Sequence, residues 1–432
     1  MENSELTFKK GYKQTEVGII PEDWESALLN EVCERISVGL ATSVTKYYRK
    51  SGVPIVRNLN IKDGYFDGSD MLYLSEDFAK ANFSKAAKAL DVLTVHTGSN
   101  LGLTCVLPPE FHNCQTFTTL ITTPKRNKLN PYFLSFFMGS FFGEREMRRL
   151  EVGGGKGNLN TGDLKQYKVV IPPLPEQQAI AEVLSDVDAL ITSLDQLITK
   201  KRNIKQGTMQ LLLTGKKRLV AEIKKGYKQT DVGIIPEDWE MKSIIKCAEY
   251  VDYRGKTPNK TENGRFLVTA KNIREGFIDY ENSKEYIAED DYERTMSRGK
   301  PKIGDVLITT EAPLGNVAAI DREDIALAQR VIKYRAKKEY LNSDYLKYYF
   351  LGSKFQKILD DNSSGSTAQG IKGSVLHKLP VILPPIEEQK AIARILSEMD
   401  AEIEALEIRR DKYKAVKQGM MQELLTGKTR LI

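Results

Sequence analysis

Residues 11–25 read GYKQTEVGIIPEDWE, and residues 226–240 read GYKQTDVGIIPEDWE. The two copies of this GYK block differ only at Glu16, which is matched by Asp231. A match this close between distant parts of one chain indicates an internal duplication. The sequence is therefore expected to form two related structural units.

A second pair of repeats follows the first at a constant distance. Pro172–Leu219 aligns without a gap on Pro384–Leu431, and 26 of the 48 paired residues are identical. We call each copy the helix block. The chain thus reads as GYK block, variable region and helix block, and then the same three parts again.

The helix blocks have the pattern of two long helices with one apolar seam. Apolar residues recur at spacings of four and three, as in a coiled coil: Ile180, Leu184, Val187, Ile191, Leu194 and Ile198, and then Ile392, Leu396, Met399, Ile403 and Leu406. Pro175 and Pro385 with adjacent glutamates favour helix starts, and Gly215 and Gly427 favour helix ends. Each helix would contain about 38 residues and extend roughly 55–60 Å.

Two copies of one unit related by a two-fold axis bring their helices together antiparallel. The predicted fold is α/β, with two mixed α/β domains joined by two long helices that form an antiparallel intramolecular coiled coil. The predicted boundaries are 1–25 for an N-terminal scaffold block, 26–171 for domain 1, 172–215 for helix 1, 216–240 for a linker and repeated GYK block, 241–383 for domain 2 and 384–427 for helix 2. Each domain leads into the start of its own helix, so the coil would act as a ruler between them.

The variable regions contain strand-like and helix-like runs separated by Gly and Pro. The predicted strands are Val53–Val56, Val92–Val95, Thr116–Thr122, Asp305–Thr310 and Val331–Tyr334, and the predicted short helices are Pro131–Phe142 and Ser343–Leu359. Traces of the duplication persist here. Asn60–Gly64 resembles Asn272–Gly276, and Gln115 and Gln329 stand at comparable places.

Composition gives no sign of a secreted, membrane or zinc-binding protein. The chain has 432 residues, 41% of them hydrophobic and 28% charged, with no long apolar run and a polar N-terminus. Its four cysteines form no CxxC pair and it has only three histidines, so we expect buried free thiols and no zinc site. A cytoplasmic protein is the default expectation.

Positive charge is concentrated at the ends of the helix blocks. The net charge is +6, but Ile198–Lys225 carries nine Lys and Arg against one acid, and Arg409–Leu431 carries seven against two. Such windows are compatible with nucleic-acid binding. Lysines late in a helix also suit its dipole and solubility, so both interpretations stay open.

Two apparent catalytic motifs are incomplete. Asn130-Pro131-Tyr132-Phe133 resembles the NPP[YF] signature of amino-methyltransferases but lacks the second proline, so we interpret it as a helix start. Gly153–Gly157 resembles a phosphate-binding loop, but the position after Lys156 is glycine. This segment is expected to be a surface loop or a loop that touches DNA phosphate. The histidines match no triad spacing and no nuclease pattern stands out.

Together these motifs resemble one family, the specificity subunits of type I restriction–modification systems. The resemblance rests on the GYK blocks and on the PP..EQ.AI...L starts of the helix blocks, and it spans residues 11–432. In the second variable region it extends to Asp252–Pro258, Asp305–Val317 and Ala328–Val331. The first variable region fits less well, because Thr97–Gly102 is a looser version of the loop and Asn113–Thr118 has no AQRV sequence.

The resemblance implies a non-catalytic DNA-recognition subunit. Each variable region would be a target recognition domain that reads one half of a bipartite, asymmetric site in double-stranded DNA. The scaffold would dock two copies of a DNA adenine methyltransferase subunit, and two ATP-dependent translocase–nuclease subunits join where the system also restricts DNA. S-adenosylmethionine, ATP and Mg²⁺ would be bound by those partners, and no cofactor by this chain.

Polar residues on the loops between predicted strands are the candidate DNA contacts, since base edges are read by forked or amide side chains and phosphates by Lys, Arg and hydroxyls. In the first domain the candidates are Asn60, Lys62, Thr97, Ser99, Asn100, Lys156, Asn158 and Asn160. In the second they are Arg254, Lys256, Lys271, Asn272, Thr310, Gln329, Arg330, Ser364, Thr367, Gln369 and Lys372. Gln329 and Arg330 enter by the resemblance. Each could equally be a solvated loop residue or a turn cap.

The GYK blocks are expected to supply core residues. Ile20-Pro21 and Trp24, like Ile235-Pro236 and Trp239, would tie a domain to a helix, while Tyr12, Lys13, Tyr227 and Lys228 would face a partner or the DNA backbone. Two other classes of function stay open. One is a coiled-coil scaffold for proteins or glycans, which would bind without a strong salt dependence. The other is a fragment of a nuclease or methyltransferase, which the missing motifs disfavour.

Overall fold

The computed structural model describes residues 11–151, 157–219, 226–253, 258–365 and 369–431. The chain divides into two compact units, Met1–Asp195 with Ile408–Ile432, and Gln196–Glu407. We call them unit 1 and unit 2. Within the described ranges, no helix combines the length and apolar character that crossing a membrane requires.

Unit 1 contains the first variable region. Its strands are β1 Tyr12–Thr15, β2 Gly18–Pro21, β3 Glu25–Leu28, β4 Cys33–Val38, β5 Tyr48–Arg49, β6 Val53–Val56, β7 Leu72–Leu74, β8 Val92–Val95, β9 Thr104–Val106, β10 Gln115–Thr116, β11 Thr119–Pro124 and β12 Lys168–Ile171. Its helices are α1 Leu29–Val32, α2 Glu76–Ala81, α3 Pro131–Met138, α4 Phe141–Glu151, α5 Thr161–Lys165 and α6 Leu174–Leu212, whose last residues belong to unit 2.

Unit 2 repeats this order. Its strands are β13 Tyr227–Thr230, β14 Gly233–Pro236, β15 Glu240–Ser243, β16 Ala248–Asp252, β17 Lys260–Thr261, β18 Arg265–Val268, β19 Tyr286–Ile287, β20 Val306–Thr310, β21 Leu314–Ala319, β22 Ile325–Leu327, β23 Val331–Ala336 and β24 Pro380–Leu383. Its helices are α7 Ile244–Cys247, α8 Tyr292–Thr295, α9 Ser343–Leu351, α10 Ser353–Asp361, α11 Gly373–Leu376 and α12 Ile386–Leu424, whose last residues belong to unit 1.

Among the residues that the structure describes, each unit has two four-stranded sheets and two small two-stranded ones. The central sheet is antiparallel, in the order β4-β11-β8-β9 in unit 1 and β16-β23-β20-β21 in unit 2. The other four-stranded sheets are β10-β6-β7-β5 and β17-β19-β18-β22, and each includes one parallel pair. Both units are therefore mixed α/β, as the sequence predicts.

The GYK blocks fold into β-hairpins that lead into the cores. β1 pairs with β2, and β13 with β14, in the same register. Trp24 and Trp239 follow the hairpins and are completely buried, which confirms their predicted place in the core. Tyr227 is 60% exposed and Tyr12 is half-buried, and their hydroxyls donate to the carbonyls of Gly215 at 3.4 Å and of Gly427 at 2.9 Å.

The incomplete NPYF motif starts a helix, as predicted. Asn130 caps α3, because its Oδ1 accepts from the amides of Tyr132 at 2.9 Å and Phe133 at 3.1 Å. Asn342 caps α9 in the same way, with its Oδ1 2.9 Å from the amide of Tyr345. The predicted single helices Pro131–Phe142 and Ser343–Leu359 are each two helices, α3 with α4 and α9 with α10.

The long helices each have 39 residues, and their predicted seam residues are all buried or half-buried. Ile180 and Leu184 join the core of unit 1, and Ile392 and Leu396 join that of unit 2. Since apolar burial is the main favourable term in folding, these contacts fix the start of each helix on its own domain.

Ion pairs show that the helix segments inside each unit run antiparallel. In unit 1, Asp188 pairs with Lys417 at 2.6 Å and Asp195 with Arg410 at 3.3 Å. In unit 2, Lys201 pairs with Glu402 at 2.5 Å. Lys205 also contacts Asp400, which is the repeat of the Lys417–Asp188 pair. From Asp188 to Asp195 the partner moves back from Lys417 to Arg410, and from Lys201 to Lys205 it moves back from Glu402 to Asp400, which is the order of antiparallel helices.

In each unit, a cluster of charged residues joins the GYK block, the start of one helix block and the end of the other. In unit 2, the buried carboxylate of Glu388 accepts from the indole N–H of Trp239 at 3.1 Å and from Arg218, whose Nε lies 2.9 Å from Oε1. Arg218 also forks onto Asp238, with distances of 3.0 and 2.8 Å. In unit 1, the same cluster forms from the residues at matching repeat positions, namely Arg430, Glu176, Asp23 and Trp24. We call these two groups the arginine clusters.

Gly215 and Gly427 let the end of each long helix approach a GYK block closely, next to the arginine clusters. Both have positive φ, 70° and 69°, and a Cβ at either one would lie within 2.4 Å of a proline of the GYK block. These positions therefore require glycine both for backbone conformation and for space.

Arg218→Ala is expected to lower the free energy of unfolding by about 3–5 kcal/mol, because Glu388 would stay buried without its counter-charge. Arg430→Ala should cost less, since the side chain of Arg430 is 31% exposed and that of Arg218 only 5%. Urea denaturation followed by tryptophan fluorescence measures both losses. Lys216→Ala, an exposed neighbour, is the control and should be neutral. Equal stability of Arg218→Ala and wild type would contradict the assigned role.

Candidate nucleic-acid interface

In unit 2, several predicted site residues meet at one edge of the central sheet. This edge comprises the loop after β20, the residues before β23 and the segment before α11. Glu311 forms a β-bridge with Gly370, and Gly370 forms another with Ser364. Gln369 and Lys372 flank this bridged segment and are exposed. Arg330 joins the group through an ion pair between its Nε and Oε1 of Glu311 at 2.9 Å.

Hydrogen bonds to backbone carbonyls connect the three segments of this edge. Thr310 is 2% exposed, and its amide and hydroxyl donate to the carbonyl of Arg330 at 3.0 and 3.3 Å. The amide of Ile371 donates to the carbonyl of Thr310 at 3.0 Å. Thr310 therefore joins the three segments, while the side chains of Gln329, Arg330 and Lys372 remain at least partly accessible.

Unit 1 has an equivalent edge. Thr97 forms a β-bridge with Asn158, and the amide of Leu159 donates to the carbonyl of His96 at 2.9 Å. Ser99 and Asn100 are exposed in the loop after β8. Asn160 is exposed but has a structural role, because its Oδ1 caps α5 by accepting from Gly162 at 2.7 Å.

Each unit has two further candidates in a separate turn. They are Asn60 and Lys62 in unit 1, and Lys271 and Asn272 in unit 2. Asn60 and Asn272 are buried, and their amides hold the turn: the Asn60 Oδ1 accepts from the amide of Arg57, and the Asn272 Oδ1 from that of Thr269, both at 2.9 Å. These two side chains stabilise backbone and are not available to a ligand in this structure. Lys62 is half-buried and Lys271 is exposed beside them.

The remaining candidates cannot be compared with the structure. Lys156, Arg254, Lys256 and Thr367 lie outside the described residues. The same holds for most of the glycine-rich segment, Val152–Lys156.

A buried ion cluster lies towards the opposite end of the central sheet of unit 2, beside the start of β20. The Asp305 carboxylate, 2% exposed, lies 2.9 Å from Nζ of Lys333 and 2.7 Å from both Nε and Nη2 of Arg335. Burial opposes ionisation of Asp305, but the hydrogen bonds from Arg335 and Lys333 outweigh it, so the pKa of the carboxyl lies below its ordinary value. Burial lowers the pKa of Lys333.

Unit 1 supports its sheet with a related but smaller cluster. Asp91, also completely buried, lies 2.9 Å from Nη2 of Arg35 and accepts from Thr123 Oγ1 at 2.7 Å. The buried aspartate is therefore common to both units, whereas the side chains that bind it differ.

The sequence interpretation missed Glu311 and Thr118 and misplaced Gln115. Thr119 pairs with Val95 and Val331 pairs with Thr309, so Thr118 corresponds to Arg330. The amides of Phe117 and Ala328 make the same hydrogen bond to the strand beside them. Gln329 is therefore an additional residue of unit 2 with no counterpart, and Gln115 is buried in β10. This extra residue in unit 2 is visible in the hydrogen-bonded register of the strands.

Within the described ranges, no group of three or more His, Cys, Asp or Glu residues could hold a metal ion. The four cysteines are buried and free, as predicted. Burial raises the pKa of the Cys33, Cys105 and Cys114 thiols to about 12, so these residues stay protonated near neutral pH.

Known proteins resemble this chain over nearly its whole length. The model of the type I restriction modification DNA specificity domain matches residues 21–205 and 236–412. A putative type I restriction enzyme MjaX specificity subunit of Methanocaldococcus jannaschii is 29% identical, over 98% of this chain and 97% of the relative. The EcoKI specificity subunit of Escherichia coli K12 is 22% identical, over 90% of this chain and 85% of the relative.

Solved structures share the fold. The S subunit of the type I restriction–modification system of M. genitalium superposes with a TM-score of 0.56 at 12% identity, over 93% of this chain and 96% of that one. A chain from a study of the assembly and conformational transition of a type I system gives 0.53 at 18% identity, over 95% and 99%. At these identities the likeness concerns the fold alone.

Asp305→Asn is expected to destabilise the protein by about 3–5 kcal/mol near pH 7, because Lys333 would remain buried without its counter-charge. The carboxyl has a lowered pKa in the folded state, so its contribution is full above the unfolded value of about 4 and is lost as the pH falls further. Urea denaturation at pH 7 and at pH 3 should therefore show a smaller difference at pH 3. Asp324→Asn, in an exposed pair with Arg322, is the control. A pH-independent difference would contradict this assignment.

Proposed function

The chain belongs to the type I restriction modification DNA specificity family, and from this premise we propose how its parts divide the work of recognition. Each unit carries one target recognition domain, and each domain reads one half of a bipartite, asymmetric DNA site. The long helices set the distance between the half-sites. The GYK blocks and arginine clusters form the scaffold on which two methyltransferase subunits dock.

The observation that carries this proposal is the contrast between scaffold and edge. The arginine clusters use the same residue types in the same contacts in both units. The sheet edges have the same backbone bridges but different side chains, such as Ser99 and Asn100 in unit 1 and Arg330 and Lys372 in unit 2. Two identical partners require like docking surfaces, whereas two unlike half-sites require unlike readers.

The accessible edge residues are the proposed DNA contacts. In the first domain these are Thr97, Ser99, Asn100 and Asn158, and in the second Gln329, Arg330, Ser364, Gln369 and Lys372. Lys62 and Lys271 suit phosphate contacts from the neighbouring turns, because lysine acts as a point charge. Lys156, Arg254, Lys256 and Thr367 remain candidates from the sequence.

The paired helices are the proposed spacer. At about 1.5 Å per residue, a 39-residue helix extends roughly 58 Å. The ion pairs inside each unit and the buried seam residues favour a rigid antiparallel coil over two independent helices. A rigid spacer would admit half-sites at only one separation.

The GYK hairpins are the proposed docking sites for two copies of a DNA adenine methyltransferase subunit. Ile19 and Ile234 are 50% and 61% exposed at matching positions of hairpins that differ by one residue. Beside the first hairpin lies a groove of about 480 Å³ lined in part by Val17, Phe137 and Phe142. In this proposal the methyltransferase binds S-adenosylmethionine, two ATP-dependent subunits with Mg²⁺ join in systems that also restrict, and the whole complex acts in the cytoplasm.

The complex of this chain with an adenine methyltransferase subunit is expected to bind one bipartite sequence tightly, and the chain alone to bind DNA weakly. The affinity should fall at least roughly tenfold between 50 and 200 mM salt, because phosphate contacts release counterions. Fluorescence anisotropy on specific and scrambled duplexes measures both effects. Methylation by the purified chain alone, or binding that ignores salt, would contradict the proposal.

Inserting one heptad into each helix, after Asp195 and after Glu407, should lengthen the spacer between the half-sites by about three base pairs. Seven residues add roughly 10.5 Å, and one base pair takes about 3.4 Å. Both insertions fall at the boundary of the units and leave the ion pairs within each unit in register. Sequencing of methylated sites reads out the spacer.

The matched control inserts the heptad into α6 alone, which displaces its ion pairs by two turns and should abolish specific methylation. If the double insertion changed the half-site sequences and left the spacer unaltered, the helices would not be the ruler.

A further inference from the structure

Arg330 and Thr118 occupy equivalent positions at the two sheet edges and share an unusual backbone conformation. Arg330 directly precedes β23 and Thr118 directly precedes β11, which are matching inner strands of the central sheets, and their φ angles are 73° and 49°. Positive φ is disfavoured for any residue with a Cβ and is most unusual for a β-branched one such as threonine. Strained positions of this kind cluster at ligand-binding sites. Glycine would relieve the strain, yet unit 2 has an arginine at this position and unit 1 has a threonine.

The ion-pair partner of Arg330 also has an equivalent position in unit 1. Glu311, the ion-pair partner of Arg330, forms its β-bridge with Gly370, and Thr97 forms the matching bridge with Asn158. Counting from the paired strands, Val95 corresponds to Thr309 and therefore Thr97 to Glu311. The same two positions thus hold two threonines in unit 1 and a Glu–Arg pair in unit 2.

The Arg330 side chain is positioned but not sequestered. The backbone carbonyl of Arg330 accepts two hydrogen bonds from Thr310. The side chains of Arg330 and Glu311 are 52% and 47% exposed. The ion pair uses Nε, and a guanidinium has five N–H donors, so donors remain for another acceptor. Exposed ion pairs are weak, so a ligand could replace or share this one at little cost.

We infer that Arg330, oriented by Glu311, reads a guanine of the half-site recognised by unit 2, and that Thr118 with Thr97 takes the corresponding position in unit 1. A guanidinium can donate to both O6 and N7 of guanine in the major groove, the commonest specific contact to a base. Threonine offers a methyl group and a hydroxyl, which suit the thymine methyl group or a polar base edge. This inference rests on the proposed function, since it specifies which residues distinguish the half-sites.

The test uses the full chain assembled with its adenine methyltransferase subunit and a plasmid library in which both half-sites are randomised. In the Arg330→Ala complex, preference for guanine at one position of one half-site should fall about 10- to 100-fold, while the other half-site stays unchanged. Arg330→Lys should keep most of the affinity but lose this preference, because lysine lacks the fork. Sequencing of methylated sites measures the preference at every position.

Arg322→Ala is the matched control, because Arg322 is 48% exposed, is paired with Asp324 and lies beyond the other end of β21. Its methylation pattern should equal that of wild type. Glu311→Thr with Arg330→Thr transplants the threonine pair of unit 1 and should change the same half-site without affecting the other.

The possible failures are distinguishable. If the wild-type complex methylates without sequence preference, the proposed function fails. If wild type is selective and Arg330→Ala keeps an identical motif, the reading role of Arg330 is overturned. If Arg330→Ala weakens binding uniformly and reduces the salt slope by about one, Arg330 contacts a phosphate and the base-reading inference is also overturned.

Discussion

The buried glutamate at the start of each long helix is the constraint on which each unit depends. Glu176 and Glu388 are almost completely buried, and a buried carboxylate is costly unless it is paired and hydrogen-bonded. Each receives an indole N–H from a GYK block and a guanidinium from the end of the other helix block. A unit therefore cannot complete its core with residues from one repeat alone. This requirement constrains residues in three separate sequence segments, the GYK block and the two ends of the helix block.

The adjacent glutamines extend the same constraint to the recognition domains. Gln177 accepts from the amide of Asn130 at 2.8 Å and Gln389 from that of Asn342 at 2.9 Å, so each links a helix start to the cap of α3 or α9. The EQ dipeptide thus joins a helix both to its GYK block and to its domain. Changes at the sheet edges leave these contacts untouched. The side chains at the sheet edges can therefore differ between the units while these scaffold contacts stay the same.

The predictable features were those with a local or periodic cause. The seam follows from apolar spacing, the helix starts from proline and the Asn130 and Asn342 caps, and the buried tryptophans from their place in the repeats. The arginine clusters were not predictable, because Arg218 and Arg430 resemble the surrounding surface lysines until the fold brings them to a buried carboxylate. Asn60 and Asn272 resemble loop contacts, but their amides are consumed by turns. Positive φ at Thr118 and Arg330 has no signal in the sequence at all.

The ion pairs of unit 2 differ in burial and therefore in how much each one contributes to stability. The buried pairs, Arg218 with Glu388 and Asp305 with Lys333, lie in the interior, where losing one partner leaves an uncompensated charge. The Arg330–Glu311 pair lies at the edge, half in water, where it contributes little to folding. A substitution at the edge can therefore alter the presented donors at small cost in stability, whereas one in the interior cannot. In unit 2 the exposed pair and the buried pairs share no residue, so the side chains at this edge can differ from those of unit 1 while the buried pairs are kept.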